Sequence, residues 1–378
     1  MSRLELELHR ALASGQEPAP DDARLAELVR AADPLRSVDE VARSVAEIRA
    51  HLDGLGPIQP LLVDPDVTDI MINGAGPVWV ERGGRLEATS LVLDRAEVDL
   101  LVERIVAPLG QRADPVHPLV DGRLADGSRV HVVVPPLAVD GPCITIRRFA
   151  VRGVRLEQFA VPPVVALLRR AVRARSNIVV SGATGSGKTT LLNALAEEVS
   201  AAERIVTVED AAELRLGATH VVRLEARAEA PDGAPGVPIR ELVRNALRMR
   251  PDRLVVGEVR GAEAFDLLSA MSTGHDGSLS TVHANSAADA LARLANLVLL
   301  AGVGLGTEAI AAQLCSAIDL IVHVERGSGG ARGVAAVAEP LLADPERGGG
   351  PGGVHLLADA AGVVDRPARA VRRAGSVA

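Results

Sequence analysis

The stretch Gly182-Ala-Thr-Gly-Ser-Gly-Lys-Thr189 follows the apolar run Ile178-Val179-Val180 and leads into Leu191, Leu192 and Leu195. It has the P-loop spacing, with two glycines separated by four residues and followed by Lys and a hydroxyl residue, and Thr190 comes next. Strand before and helix after is the context that separates this loop from a chance glycine-rich turn. Glycines at 182, 185 and 187 let backbone amides of Ala183, Thr184 and Ser186 turn inward around phosphates, and the helix start adds its dipole. Lys188 is expected to reach the β and γ phosphates, and the Thr189 hydroxyl to ligate Mg²⁺.

Composition supports that reading from an unusual side. Among 41 basic residues Lys188 is the only lysine. Arginine serves wherever a planar fork suffices, whereas lysine is a compact charge on a flexible stem. The one lysine therefore stands where phosphate chemistry asks for it. The chain has 378 residues, 48% hydrophobic and 24% charged, with a net charge of −8. This is the balance of a globular protein of two or so domains and opposes a DNA-coating role. Three Phe, one Trp and no Tyr exclude an aromatic platform for single strands, so nucleic acid is not expected as a direct ligand. The two cysteines, Cys143 and Cys315, are too far apart in sequence for a metal motif and fit a reducing compartment. No apolar run approaches the ~18 residues of a membrane span, and the opening MSRLELELHR lacks the basic and apolar regions of a signal peptide.

Working outward from the loop, strands and helices alternate. Strands are expected at Asn177 to Ser181, Arg204 to Val208, His220 to Leu224, Arg253 to Gly257 and Ser278 to His283. Helices are expected from Pro162, from Lys188, over Ile239 to Met249 and over Ala262 to Met271. That alternation implies an α/β domain with a mainly parallel sheet over 161–326. In such a sheet ligands bind at the carboxyl ends of the strands. Two acids stand at those ends, Glu209 (before Asp210) and Glu258 (before Val259-Arg260). One carboxylate suits orientation of a water and the other Mg²⁺ held through water, although strand-end acids also serve as helix caps. Thr273-Gly-His275-Asp-Gly-Ser-Leu-Ser-Thr-Val-His283 carries a histidine on either side of a strand. Eight residues apart is no usual metal spacing, so His283 is read as a γ-phosphate contact or a structural hydrogen bond.

Upstream, 1–54 reads as a helical segment, with Ser37 and Glu40 as a capping box and Val38, Val41, Val45, Ile48 and Leu52 as an apolar stripe. Residues 55–150 read as a smaller α+β domain. It holds a hairpin around Gly83-Gly84, a helix capped by Asp94 and strands over Ser128 to Val134 and Cys143 to Phe149. A linker is expected at 151–160. Beyond 326 the Gly-, Ala- and Arg-rich composition predicts a partly disordered tail over 327–378.

Taken together, these blocks resemble the secretion-ATPase superfamily of type II and type IV secretion and pilus systems, with the nearest likeness to tight-adherence (Flp) pilus assembly ATPases. Ile205-Val-Thr-Val-Glu-Asp210 is similar to that family's Asp box. Arg253-Leu-Val-Val-Gly-Glu258 is similar to its Walker B, with Gly257 in place of the usual Asp, and Gly274 through Asn285 to its His box. Leu242 through Asp252, Gly54-Leu-Gly-Pro-Ile58, Asp69 through Gly74, Asp121 through Val130 and Ile144 through Phe149 carry the likeness further. The resemblance implies a RecA-like P-loop ATPase domain over 161–326 and a homo-hexameric ring that binds ATP with Mg²⁺ and hydrolyses it. Glu209 would be the water-orienting base, Glu258 the Walker B carboxylate, and Arg123, Arg129 and Arg147 phosphate-contacting arginines of the N-terminal domain. It also implies a place at the cytoplasmic face of the membrane, reached through platform proteins, in pilus assembly or protein secretion. A conjugation-type ATPase for DNA export shares every box. A nucleotide-binding ring with little hydrolysis would share the loop, but the pair Glu209 and Glu258 opposes it.

Overall fold

The computed structural model describes residues 21–148, 154–227, 235–327, 330–341 and 353–367. The chain divides into two compact units, Met1–Val151 and Arg152–Ala378.

The first unit opens with helices α1 (Asp22–Ala32) and α2 (Val38–Asp53). Asp21 caps α1 through Arg24 N, and Ser37 with Glu40 forms the reciprocal box at α2. Leu25, Val29, Val41, Val45 and Ile48 close a small core between them. After α3 (Gln59–Val63) come β1 (Val67–Asn73), β2 (Gly76–Arg82) and β3 (Arg85–Leu93). Helix α4 (Arg95–Val106) follows, boxed by Asp94 and Glu97. Strands β4 (Leu119–Arg123), β5 (Arg129–Val133) and β6 (Cys143–Arg147) complete a six-stranded sheet of order β3-β2-β1-β6-β5-β4, antiparallel throughout. Alternation along the strands buries Ile70, Ile72, Val78, Val80, Val130, Val132, Ile144 and Ile146 against Val98, Leu101, Val102 and Ile105 of α4. Strand β4 is absent from the sequence expectation because Asp121-Gly122-Arg123 carries little strand propensity of its own.

The second unit runs through α5 (Pro162–Arg173), β7 (Ile178–Gly182), α6 (Lys188–Ala196), β8 (Ile205–Glu209), β9 (Val221–Glu225), α7 (Ile239–Ala246), β10 (Arg253–Val256) and α8 (Glu263–Ser272). It continues with β11 (Leu279–His283), α9 (Ala287–Leu300), α10 (Thr307–Ala317), β12 (Leu320–Arg326), β13 (Arg332–Leu341) and β14 (Gly353–Asp359). The eight-stranded sheet has the order β14-β13-β12-β7-β11-β10-β8-β9. From β12 to β9 every pairing is parallel, and β13 and β14 add an antiparallel edge. One face packs on α5 and α6 through Leu168, Val172, Leu191, Leu192 and Leu195. The other packs on α7 to α10 through Val243, Leu267, Leu268, Leu291, Leu294 and Leu314. Cover on both sides explains why β7, β8 and β10 are buried along their whole length.

The amino ends of the strands are tied by polar groups. Buried Asn177 donates through Nδ2 to the carbonyls of Met271 and Ala317 and accepts at Oδ1 from Gly277 N and Ser278 N. Arg253, 1% exposed, pairs with Glu203 at 2.7 Å and donates to the carbonyl of Val172.

Two boundaries differ from expectation. Residues 154–160, placed in a linker, belong to the second unit. A 3-10 turn at Leu156–Gln158 inserts Leu156 and Phe159 into the core beneath α5 and α6. The sheet also does not end at 326. Strands β13 and β14 lie within the stretch expected to be a disordered tail, with Val334, Val337, Ala338, Leu357 and Ala358 buried. Their Gly and Ala content lowers local strand propensity, and pairing with β12 overrides it. Residues 1–20, 149–153 and 368–378, which also carry expectations of helix, linker and tail, lie outside the described residues.

Candidate nucleotide site

The loop after β7 is built as its glycines require. Gly185 and Gly187 have φ of 73° and 99°, in the left-handed region that side chains disfavour, and Gly187 is the N-cap of α6. A Cβ on Gly182 would stand 2.5 Å from Ser186 Oγ and from the carbonyl oxygen of Val324. The loop closes through Ser186 N donating to Ala183 O at 3.3 Å. Lys188 Nζ donates to the same carbonyl at 2.9 Å, which holds the ammonium inside the loop. Thr189 and Thr190 fall in the first turn of α6, half-buried.

Parallel pairing carries the other expected residues to the same end of the sheet. His283 is the Cα partner of Gly182, and its Nδ1 lies 3.4 Å from Thr184 Oγ1. One strand further, Val256 pairs with Ser280 on one side and Val208 on the other, so Glu258 and Glu209 follow in the same row. Gly182, His283, Glu258 and Glu209 thus stand at the carboxyl ends of four neighbouring strands, β7, β11, β10 and β8. The second histidine, His275, precedes β11 and stands beyond the opposite end of that five-residue strand. Among the described residues no group of three or more His, Cys, Asp or Glu could hold a metal by itself.

The two carboxylates sit in different surroundings. Glu209 is 3% exposed, and its Oε1 accepts from Glu213 N at 2.8 Å and Leu214 N at 2.9 Å. Among the described residues its Oε2 accepts no hydrogen bond. Burial pushes the pKa up to about 7, against the lowering pull of those two amides. Glu258 is partly exposed, and its Oε2 accepts from Arg260 Nη2 at 2.7 Å. Arg260 also reaches Asp210 at 3.6 Å. The turn that presents it is held by Glu263, whose Oε1 accepts from Arg260 N and Gly261 N. Thr189 and Glu258 together offer hard oxygen donors, a hydroxyl and a reachable carboxylate, which fits Mg²⁺ carried on phosphates.

The three expected arginines lie in the first unit, in one row. Arg123 pairs with Arg129, and Arg129 with Arg147, across β4, β5 and β6. Partners directly opposite share a face, so three cations are aligned there, and Asp69 of β1 ends the row opposite Arg147.

Residues 51–327 match the sequence model of the family described as "Type II/IV secretion system protein". The chain belongs to this family. Among secretion-system relatives, Rv3659c of Mycobacterium tuberculosis (strain H37Rv), named for conjugal transfer, is 40% identical over 311 residues, covering 79% of this chain and 88% of its own. The type IV secretion system protein PtlH of Bordetella pertussis is 38% identical over 321 residues, covering 76% and 93%. In fold, this secretion-family chain is similar to the pilus retraction motor PilT solved with bound ADP. The TM-score is 0.57 at 22% identity, with 74% of this chain and 80% of that one covered.

Within this family member, three features of the site escape sequence reasoning. Gly257 is a close approach rather than a mere replacement, because a Cβ there would stand 2.7 Å from Glu209 Cγ. His323 on β12, 4% exposed, lies with Nδ1 3.0 Å from Ser181 Oγ, and burial holds its pKa below the ordinary range, so it is neutral at pH 7. Gly187 is approached by Phe159 and Arg332, from segments expected to be linker and tail. The apolar run Leu254-Val255-Val256 ending in Gly257-Glu258 is the one signal that points to the first. The other two depend on pairings distant in sequence.

Proposed function

We propose that this chain is an ATP-hydrolysing motor of a secretion or pilus machine, with ATP and Mg²⁺ as cofactors. The observation that carries the reading is the row of functional groups at one end of the parallel sheet. Lys188 lies inside the loop, and Glu209 keeps Oε1 on two amides while Oε2 accepts no hydrogen bond among the described residues. With nucleotide in the loop, the amides after Gly185 and the Lys188 ammonium would hold the phosphates, and Thr189 with Glu258 would hold Mg²⁺. Bound Mg²⁺ supplies charge neutralisation on the phosphate oxygens. Glu209 takes the proton of the attacking water at Oε2, a role that suits a carboxyl whose pKa is near 7. His283, beside Thr184, donates to the γ-phosphate and passes its loss to the helix starting at Ala287.

Arg123, Arg129 and Arg147 contact phosphates in a homo-hexamer, where planar guanidinium groups can hold oxygens bidentately. No helix among the described residues is long and apolar enough to cross a membrane. Work at the cytoplasmic face would therefore use inner-membrane platform proteins as partners. The tight-adherence pilus is the leading system. Conjugal export of DNA is the second reading, favoured by the relative named for conjugal transfer. Steady-state phosphate release by the full chain tests the core of the proposal. Lys188→Ala should abolish it with the fold retained, and turnover near wild type in that variant refutes the reading. Wild-type protein that binds ATP without releasing phosphate would be the passive ring instead.

A further inference from the structure

Gly187 is the loop residue at which α6 begins, and the C-terminal hairpin lies against it. A Cβ on Gly187 would stand 2.9 Å from Cδ and 3.6 Å from Cβ of Arg332, and 3.4 Å from Cε1 of Phe159. The stem of Arg332 therefore runs along the turn whose amides cradle phosphate, and its guanidinium begins one bond beyond Cδ. The placement is held from behind. Val334 N donates to the carbonyl of Phe159 at 2.8 Å, and Phe159 is itself buried under α5 and α6. Gly187 and Arg332 are thus matched: any side chain on the loop glycine, already at φ 99°, would displace the arginine.

A second arginine stands beside the first. Arg326, at the end of β12, is the Cα partner of Arg332 in the antiparallel pair, so the two stems leave the same face of the hairpin about 5 Å apart. The pair lies next to a loop whose backbone geometry is that of a phosphate cradle.

We propose that Arg332, supported by Arg326, is a further phosphate-contacting residue, binding the diphosphate of a nucleoside di- or triphosphate from the side of the C-terminal hairpin. The proposal rests on the reading of the loop as a nucleotide site and adds a cation that the P-loop motif does not contain. The β13 strand thereby becomes part of the binding machinery, and nucleotide would tighten the hairpin at the sheet edge.

The test is competition binding on the full chain, with a fluorescent ADP analogue displaced by ADP or by inorganic pyrophosphate. Arg332→Met keeps most of the stem over Gly187 and removes the charge. It should weaken ADP and pyrophosphate alike by about tenfold at low salt, the scale of one lost hydrogen bond to a charged group. The loss should shrink in high salt. Arg326→Met should show a smaller loss of the same salt dependence, and Arg332→Lys should recover part of the affinity without the fork. Unchanged binding of both ligands by Arg332→Met overturns the proposal. So does weakened ADP with unchanged pyrophosphate, which would place Arg332 on the nucleoside. Lys188→Ala separates the two levels. If it binds ADP like wild type, the nucleotide reading itself falls; if it loses ADP while Arg332→Met does not, only the present inference falls.

Discussion

Glu209 lies across the backbone of Gly257, so that a Cβ on the glycine would stand 2.7 Å from Cγ and 3.2 Å from Oε1 of the glutamate. The contact is with the stem of the side chain, which its two amide bonds keep from swinging away. Position 257, before Glu258, is therefore held to glycine because the Glu209 stem on the neighbouring strand occupies the space a Cβ would need. Gly257→Ala should shift Glu209 and lower kcat by at least about tenfold, with ADP affinity close to wild type. Titration of both quantities on the same preparation checks it, and full turnover in the variant removes the constraint.

The raised pKa of Glu209 gives two pH signatures of opposite sign. As a base it must be ionised, so kcat should rise with pH through a midpoint near 7, and Glu209→Gln should lose at least ~10² in kcat with a flat profile. In stability the folded value lies above the ordinary 4.5, so the folded state binds the proton more tightly. The stabilisation is full below pH 4.5 and is lost as pH rises to about 7, to the extent of up to about 3 kcal/mol. Relative to wild type, Glu209→Gln should therefore melt higher at pH 8 than at pH 5. Calorimetry at both values decides, and a constant difference contradicts the burial argument.

Arg260 holds Glu258 at 2.7 Å while itself remaining mostly exposed. Exposed ion pairs contribute at most about 1 kcal/mol, so Arg260→Ala should leave the unfolding midpoint nearly unchanged. Turnover should nevertheless fall about tenfold as the carboxylate loses its orientation, and Glu258→Gln should fall by ~10². In the double variant the two losses should not multiply. Multiplicative losses would mean the residues act separately.

Asn177 satisfies its whole amide with four buried hydrogen bonds that join β7 to the ends of α8, α10 and the turn before β11. Asn177→Ala removes all four of these hydrogen bonds and should destabilise the chain by roughly 3–5 kcal/mol. Urea unfolding measures this, and a loss below 1 kcal/mol would show that water replaces the side chain.

If the proposed function holds, the arginine row of β4, β5 and β6 and the loop of the second unit would act as separable half-sites. Neither an Arg129→Ala chain nor a Lys188→Ala chain should be active alone. Mixed, they should recover part of the ATPase rate if arginines act on a neighbouring subunit in a hexamer. The rate per subunit of the wild type should also rise with protein concentration. A fully active monomer at every dilution excludes the ring.

Much of the site is legible in the linear sequence because its chemistry is local. The loop from Gly182 to Thr189 is read by short backbone closures, namely the bond from Ser186 to Ala183 and the Lys188 ammonium on the same carbonyl. Strand and helix periods announce the parallel sheet, since strands buried on both faces must be apolar throughout. Capping boxes at Ser37 and Asp94 are likewise set within four residues. What depends on partners far along the chain is not legible. Strand β13 exists because β12 offers its edge, not because Gly333, Ala335 and Ala336 favour extension.

The order of groups along the sheet end marks the same division. The amino-acid sequence determines which residues can cradle phosphate, hold Mg²⁺ or accept a proton, because those capacities belong to side-chain chemistry and to turns of a few residues. Only the tertiary structure decides that β11 and β10 stand between β7 and β8, that burial lifts Glu209 to a pKa of about 7, and that Arg332 reaches Gly187. Desolvation and cross-strand register are properties of packed neighbours, and no stretch of sequence contains its own neighbours.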